Sequence, residues 1–143
     1  MMKDREAQKE VHLKGVVVSG LGEGRFFTEL PWAREQFIGK VGIDPYPGTL
    51  NLRLDSAEGL KQWEALRGHP GITIVPPEAG FCNGKCFRIL IQGRVPGAIV
   101  FPEVAGYPVD KLEVIASCNL KEALGIRDGD EILLEVVPFF WKR

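Results

Sequence analysis

Glycine and proline divide this chain into short segments rich in β-branched and aromatic residues. There are 17 glycines and 10 prolines among 143 residues. The clearest segment is Thr49 to Leu54, in which polar and leucine side chains alternate strictly, as in a strand with one buried face. Because many short strands between turns favour a closed or nearly closed barrel, we expect a mainly β fold. The candidate strands are Val11 to Ser19, Thr49 to Leu54, Ile72 to Val75, Cys86 to Gln92, Ala98 to Phe101, Lys111 to Ala116 and Glu131 to Val136.

A few short helices are expected between these strands. The apolar residues from Leu30 to Val41 recur at steps of three and four, and Pro31 suits a first helical turn. Ser56 can cap a helix that runs to about Leu66, because its hydroxyl can accept from the free amides of the first turn. A further turn or two of helix is predicted from Asn119 to Leu124.

Composition predicts an ordinary globular protein without a strong electrostatic partner. Hydrophobic residues make up 45% and charged residues 26%, and the formal net charge is -1. Near-neutral charge argues against nucleic acid as a partner, so phosphate binding would depend on local groups. Residues 1–10 are polar, without the apolar stretch of a signal peptide or membrane span, so we expect a cytoplasmic protein that does not bind membranes. We interpret residues 1–10 as an extension and 11–143 as one domain, which we expect to be monomeric.

The run Gly20, Leu21, Gly22, Glu23, Gly24 and Arg25 follows the first predicted strand. Three glycines in five residues allow positive φ angles and let backbone amides approach a phosphate. The run lacks the lysine of a Walker loop and the spacing of a dinucleotide fingerprint. On spacing alone, a tight turn followed by a solvated arginine is the favoured interpretation.

Thr49 and Asn51 lie on one face of the alternating strand, roughly 7 Å apart along it. A hydroxyl and an amide oxygen are hard ligands that suit magnesium, which keeps several waters and takes other oxygens from substrate phosphates. The pattern therefore allows a Mg²⁺ site completed by a nucleotide. The pattern alone nevertheless favours a simpler interpretation, in which both residues belong to the polar face of a half-exposed strand.

Taken together, these segments resemble the archaeal-type CTP-dependent riboflavin kinase family. The resemblance is carried by Gly20 to Phe27, by Pro45 to Leu52, and by Leu112 to Ala116 with the later Asn119-Leu120-Lys121 and Asp128-Gly129-Asp130. It covers residues 11 to 136 and implies a six-stranded cradle-loop barrel related to the RIFT barrels. It also implies transfer of the γ-phosphoryl of CTP to the ribityl 5′-hydroxyl of riboflavin, which yields FMN and CDP.

The resemblance further implies a role for each matching position. Residues Gly20 to Arg25 would wrap the nucleotide phosphates, with Arg25 adding positive charge to the reaction, and Thr49 and Asn51 would bind Mg²⁺. Glu113 would face the ribityl chain and act as the base or orienting group. The cytidine site would be lined by Cys118, Asn119, Leu120 and Lys121.

The chain departs from the family pattern at two positions. Ala105 stands where family members usually have a threonine that contacts the flavin nucleotide, and Ser117 stands where proline is usual. A catalytically impaired flavin- or nucleotide-binding homologue is therefore the alternative, and a barrel-type DNA-binding regulator is a second. Aromatic residues such as Trp32, Trp63 and Phe81 could stack on a flavin, but core filling is their simpler interpretation.

Overall fold

The structure, a computed structural model, describes residues 11–19 and 27–137. Seven strands, three α-helices and a π-helical segment at Phe37–Val41 run through this part of the chain, and residues 27–29 are helical as well. The strands are β1 (Val11–Val18), β2 (Leu50–Arg53), β3 (Ile72–Ile74), β4 (Gly84–Ile91), β5 (Val95–Pro102), β6 (Lys111–Ala116) and β7 (Glu131–Val136). The helices are α1 (Pro31–Gln36), α2 (Ala57–Arg67) and α3 (Leu120–Leu124).

Six of these strands close into an antiparallel barrel. The order β4-β5-β6-β2-β1-β7 returns to β4, because β7 pairs with the end of β4 at Ile89 to Ile91. Strand β3 pairs with the first residues of β4, on the edge that pairs with β7 further along, and is not one of the six strands that close the barrel. The predicted six-stranded barrel with a few short helices is therefore confirmed.

The leucine side chains of the alternating segment around β2 point into the barrel core, as predicted. Leu50, Leu52 and Leu54 are buried, while Thr49 and Asn51 are half-buried on the other face. Helix α2 closes part of the core with Trp63, whose ring meets Phe101 edge-on at 5.1 Å between centroids. The helix begins as predicted, because the Ser56 hydroxyl accepts a hydrogen bond from the Gly59 amide at 3.0 Å.

The helix predicted from Leu30 to Val41 is only partly α-helical. Pro31 begins α1 as expected, but the backbone widens into the π-helical segment after Gln36 and ends at Gly42, whose φ is 84°. Arg88 on β4 donates to the carbonyl oxygens of Val41 and Lys40 at 2.9 and 3.0 Å. A long-range arginine thus satisfies carbonyls at the end of this segment, which the local apolar pattern could not reveal.

The barrel places three strand positions side by side. Val18 at the end of β1 is paired with Asn51 on β2, and Asn51 is paired in turn with Glu113 on β6. These pairings bring the end of β1, the start of β2 and the middle of β6 to one region of the surface. No helix in the described ranges combines the length and apolar character needed to cross a membrane.

Candidate functional site

The site is built around the turn that leads into β2. Gly48 has a φ of 103°, a conformation that side-chain-bearing residues adopt only with strain. Its amide donates to the buried hydroxyl of Thr28 at 2.9 Å. This turn delivers Thr49 and then Asn51 to the same face of the strand, and the Asn51 amide lies 3.4 Å from the Thr49 carbonyl oxygen.

Glu113 sits at the centre of a polar network opposite that turn. Its Oε1 accepts a hydrogen bond from the Thr49 hydroxyl at 3.1 Å, and its Oε2 accepts one from the Tyr107 hydroxyl. The Lys111 ammonium lies 3.7 Å from Oε2, and the Glu113 side chain is only 17% exposed. The carboxylate is thus fixed by two donors and one cation on the outer face of the barrel, next to Asn51.

Burial of Tyr107 and its hydrogen bond to Glu113 raise the pKa of the phenol far above its usual range. A phenol in this state keeps its proton throughout the physiological pH range, so it remains a donor. The Lys111 ammonium also lies 5.4 Å from the centre of the Tyr107 ring, close enough for a cation–π contact. Tyr107 therefore holds both the carboxylate and the neighbouring cation.

Two cavities meet at Thr49. A cavity of about 230 Å³ lies on one side and one of about 400 Å³ on the other, and Thr49 is the one described residue that lines both. The smaller cavity is lined by Tyr46, Pro47, Gly48, Thr49, Leu50, Val114, Ala116, Cys118, Asn119, Leu120 and Lys121. The larger cavity is lined by Phe27, Leu30, Trp32, Thr49, Phe81, Cys82, Val100, Phe101, Pro102, Tyr107, Lys111, Glu113 and Ile115. The wall of the smaller cavity is rich in polar and backbone groups. The wall of the larger cavity is mainly apolar, and Glu113 is among its few polar residues.

The predicted cytidine-site residues Cys118, Asn119, Leu120 and Lys121 all line the smaller cavity. Asn119 has a structural task as well, because its side-chain oxygen caps α3 by accepting from the Glu122 amide at 3.2 Å. Lys121 pairs with Asp128 at 2.9 Å. The four residues that the family resemblance assigns to cytidine therefore lie on the wall of one cavity, and their role in binding stays a prediction.

The glycine-rich run Gly20 to Arg25 lies outside the described residues, but both of its flanks border the site. On one flank, the Ser19 hydroxyl donates to Asp128 at 2.5 Å, and Asp128 also pairs with Lys121 of the smaller cavity. The hydrogen bonds from these two donors lower the pKa of Asp128, and the bond from Ser19 has the larger effect. On the other flank, Thr28 binds Gly48. The described residues Ser19 and Thr28 are thus each linked by hydrogen bonds to a residue that lines the smaller cavity, Ser19 through Asp128 to Lys121 and Thr28 directly to Gly48.

Ala105 is exposed in the loop between β5 and β6 and is not among the residues that line either cavity, although Tyr107 of the same loop lines the larger one. Ser117 is exposed directly after β6. From the same loop as Ala105, Tyr107 reaches Glu113, a contact that the sequence did not reveal. Lys111 was also missed, although its spacing of two from Glu113 places both on one face of β6.

The core-filling interpretation holds for Trp63 but is wrong for Phe81. Trp63 is 2% exposed within the barrel, whereas Phe81 is 60% exposed and lines the larger cavity. Trp32 is half-buried, packs edge-on against Phe27 at 6.0 Å and lines the same cavity. Exposed aromatic side chains on a cavity wall are available to a flat ligand.

The donor set around Thr49 fits a magnesium ion that arrives with a nucleotide. Thr49 and Asn51 offer neutral oxygens, and the Thr49 hydroxyl keeps oxygen lone pairs while it donates to Glu113. Within the described ranges there is no group of three or more histidine, cysteine, aspartate or glutamate side chains suited to a metal. These hard oxygens suit Mg²⁺ with phosphate oxygens and waters completing its shell.

The chain is similar to known proteins over most of its length. Residues 17–136 match a family model named for CTP-dependent riboflavin kinases and described as a domain of unknown function, DUF120. Riboflavin kinase from Pyrobaculum arsenaticum is 41% identical over 89% of this chain and 61% of that protein. The riboflavin kinases of Methanoculleus marisnigri and Archaeoglobus fulgidus are 41% and 42% identical, over 90% and 89% of this chain and 59% and 55% of theirs.

The chain spans about 60% of the length of these curated relatives. The family match nevertheless includes all of the barrel from the end of β1 to the end of β7, and with it the turn at Gly48, Glu113 and the residues of both cavities. The chain belongs to the archaeal-type CTP-dependent riboflavin kinase family.

Proposed function

We propose that this chain phosphorylates riboflavin on its ribityl 5′-hydroxyl to give FMN, with CTP as donor and Mg²⁺ as the assisting ion. The observation that carries the proposal is the shared wall at Thr49, where a polar cavity and an apolar cavity meet beside Glu113. A kinase must bring a triphosphate and an alcohol into contact, and two cavities with one common residue provide that geometry. The similarity to riboflavin kinases of Pyrobaculum arsenaticum and Archaeoglobus fulgidus supports riboflavin as the alcohol.

The larger cavity is the proposed flavin site. Its apolar and aromatic wall, including Phe27, Trp32 and Phe81, suits the flat isoalloxazine ring. Glu113 stands where that cavity reaches Thr49, so a ribityl chain that extends from the ring would bring its terminal hydroxyl to the carboxylate.

The smaller cavity is the proposed nucleotide site. Residues 118–121 would line the cytidine pocket, and Gly20 to Arg25 would wrap the phosphates from flanks that already border this cavity. Backbone amides and one arginine can bind phosphate without a strongly basic surface, which agrees with the net charge of -1. The choice of CTP rests on the family resemblance.

In the proposed reaction Glu113 orients the ribityl hydroxyl and accepts its proton as the oxygen attacks the γ-phosphorus. Tyr107 and Thr49 hold the two carboxylate oxygens by hydrogen bonds, so the carboxylate has little freedom to turn away. Thr49 and Asn51 would hold Mg²⁺, which when bound neutralises phosphate charge. Most of the rate enhancement would then come from positioning and charge neutralisation.

The proposed active unit is the single barrel domain of residues 11–143, acting as a cytoplasmic monomer. The exposed position of Ala105 bears on the alternative, an impaired binding homologue. The family threonine would supply about one hydrogen bond, worth roughly 0.5–1.5 kcal/mol, so its absence weakens flavin binding without removing the proton acceptor.

The test is to incubate the purified chain with riboflavin, Mg²⁺ and each nucleoside triphosphate in turn, and to separate flavins by chromatography. We expect FMN to form with CTP, and Glu113→Gln to lower the rate about a hundredfold or more. Glu64→Gln, which changes an exposed glutamate of α2, is the matched control and should behave as wild type. Tight flavin binding by the wild type with no turnover would favour the impaired homologue.

A further inference from the structure

One cation stands beside the proposed reaction centre with no role in the steps above. Among the described residues that line the larger cavity, Lys111 is the single basic side chain. Its ammonium lies 3.7 Å from Glu113 Oε2, longer than a good hydrogen bond, and its side chain is 35% exposed. The ammonium is therefore paired with the carboxylate but still open to the cavity.

Lys111 is also held in place from its other side. The ammonium stands over the ring of Tyr107 at 5.4 Å, and the same tyrosine donates to Glu113. Thr49 and Asn51 face Glu113 from β2, on the side where the nucleotide phosphates would lie. A positive charge is thus fixed at the flavin side of the junction between the two cavities.

We propose that Lys111 binds the phosphoryl group during its transfer to the ribityl oxygen and then binds the phosphate of the FMN product; this inference rests on the proposed function. During transfer the ribityl oxygen bonds to phosphorus, the bond from phosphorus to the leaving diphosphate oxygen breaks, and the hydroxyl proton passes to Glu113. Once Glu113 is protonated, Lys111 has lost its anionic partner just as a phosphate dianion appears next to it. The ammonium then exchanges one anion for another, and the positive charge stays neutralised before and after transfer.

This exchange predicts that Lys111 distinguishes the two flavins. Riboflavin carries no phosphate, so its affinity should not depend on the lysine charge, whereas FMN should lose a charge-assisted hydrogen bond when the charge is removed. Such a bond corresponds to roughly a ten- to a hundredfold change in affinity, and partial exposure of the lysine places the expectation near tenfold.

The experiment titrates riboflavin and FMN separately into the wild type, Lys111→Met, Lys111→Gln and Lys111→Arg, with dissociation constants read from flavin fluorescence. We expect Lys111→Met and Lys111→Gln to weaken FMN about tenfold while riboflavin changes less than about twofold, and Lys111→Arg to retain most of the FMN affinity. Lys61→Met removes an exposed lysine of α2 and is the matched control, expected to bind both flavins as wild type does.

Equal losses for both flavins, or no loss for either, would overturn the assignment, since riboflavin binding reports whether the variant has kept its flavin site. A wild-type chain that binds FMN but forms none would refute the proposed kinase activity, while the ratio of the two affinities would still decide the role of Lys111. A wild-type chain that binds neither flavin would overturn both proposals.

Discussion

Asn51 and Leu52 are adjacent residues on opposite faces of β2, so alanine at each should separate catalysis from stability. Asn51 is half-buried on the face that carries Thr49, whereas Leu52 is fully buried in the barrel core. Among the described residues, the Asn51 side chain makes a single hydrogen bond, a long one of 3.4 Å to the Thr49 carbonyl oxygen. Asn51→Ala should therefore leave the fold intact and remove one proposed oxygen ligand of Mg²⁺.

The two substitutions should have clearly different effects on the free energy of unfolding. A contact of 3.4 Å contributes little, so we expect Asn51→Ala to change the free energy of unfolding by less than about 1 kcal/mol. Leu52→Ala deletes a fully buried leucine and should cost about 3 kcal/mol, a large part of the stability of a domain this size. For turnover, we expect Asn51→Ala to reduce FMN formation about a hundredfold or more, equivalent to about 2.7 kcal/mol of transition-state stabilisation.

Urea unfolding followed by tryptophan fluorescence gives the first quantity, and FMN formation at saturating substrates gives the second. Raising the Mg²⁺ concentration should partly restore the Asn51→Ala rate if the lost side chain binds the metal. An Asn51→Ala variant with wild-type turnover would refute the metal-site assignment. A Leu52→Ala variant with unchanged stability would refute the strand register on which that assignment depends.

Three further predictions concern the barrel and its flanks. Gly97→Ala would place a Cβ 2.5 Å from the Ile115 carbonyl oxygen, so we expect at least about 2 kcal/mol of destabilisation in urea, and an unchanged midpoint would contradict it. The hydrogen bond from the Ser19 hydroxyl is the largest cause of the lowered pKa of Asp128. The ionised Asp128 carboxylate should therefore stabilise the fold above about pH 4, and this contribution should be lost as the pH falls through the lowered pKa of Asp128. Wild type should therefore exceed Asp128→Asn in stability at pH 7 and match it near pH 2, whereas a constant difference would argue against the ionised contact. Burial raises the pKa of Cys86 to about 12, so a thiol reagent at about pH 8 should label exposed Cys82 in the folded chain but Cys86 only after unfolding, and rapid labelling of Cys86 itself in the folded chain would oppose this.

The fold could be predicted where a pattern is local. The alternation from Thr49 to Leu54 correctly predicted the buried and the polar face of β2, and the hydroxyl of Ser56 marked the start of α2. Strand β5 was predicted too short, from Ala98 to Phe101, because Pro96 and Gly97 resemble a break. In the barrel Gly97 lies inside the strand, where the close Ile115 backbone leaves no room for a side chain.

The candidate site could be predicted only in part, because it combines residues distant in sequence. Spacing identified Thr49 and Asn51 as polar neighbours, but only the family resemblance singled out Glu113, which pairs with Asn51 across two strands. Tyr107 escaped notice because a loop residue that folds back onto a strand has no periodic signal. Lys111 did carry one, since residues two apart on a strand share a face.

The most direct measurement is the rate of FMN formation by the purified chain when CTP, ATP, GTP and UTP are supplied one at a time with Mg²⁺ and riboflavin. We predict FMN with CTP at a rate well above that with the other three, and its loss in Glu113→Gln. No FMN with any of the four triphosphates, from protein shown to be folded, would contradict the proposal that the two cavities joined at Thr49 form a riboflavin kinase site.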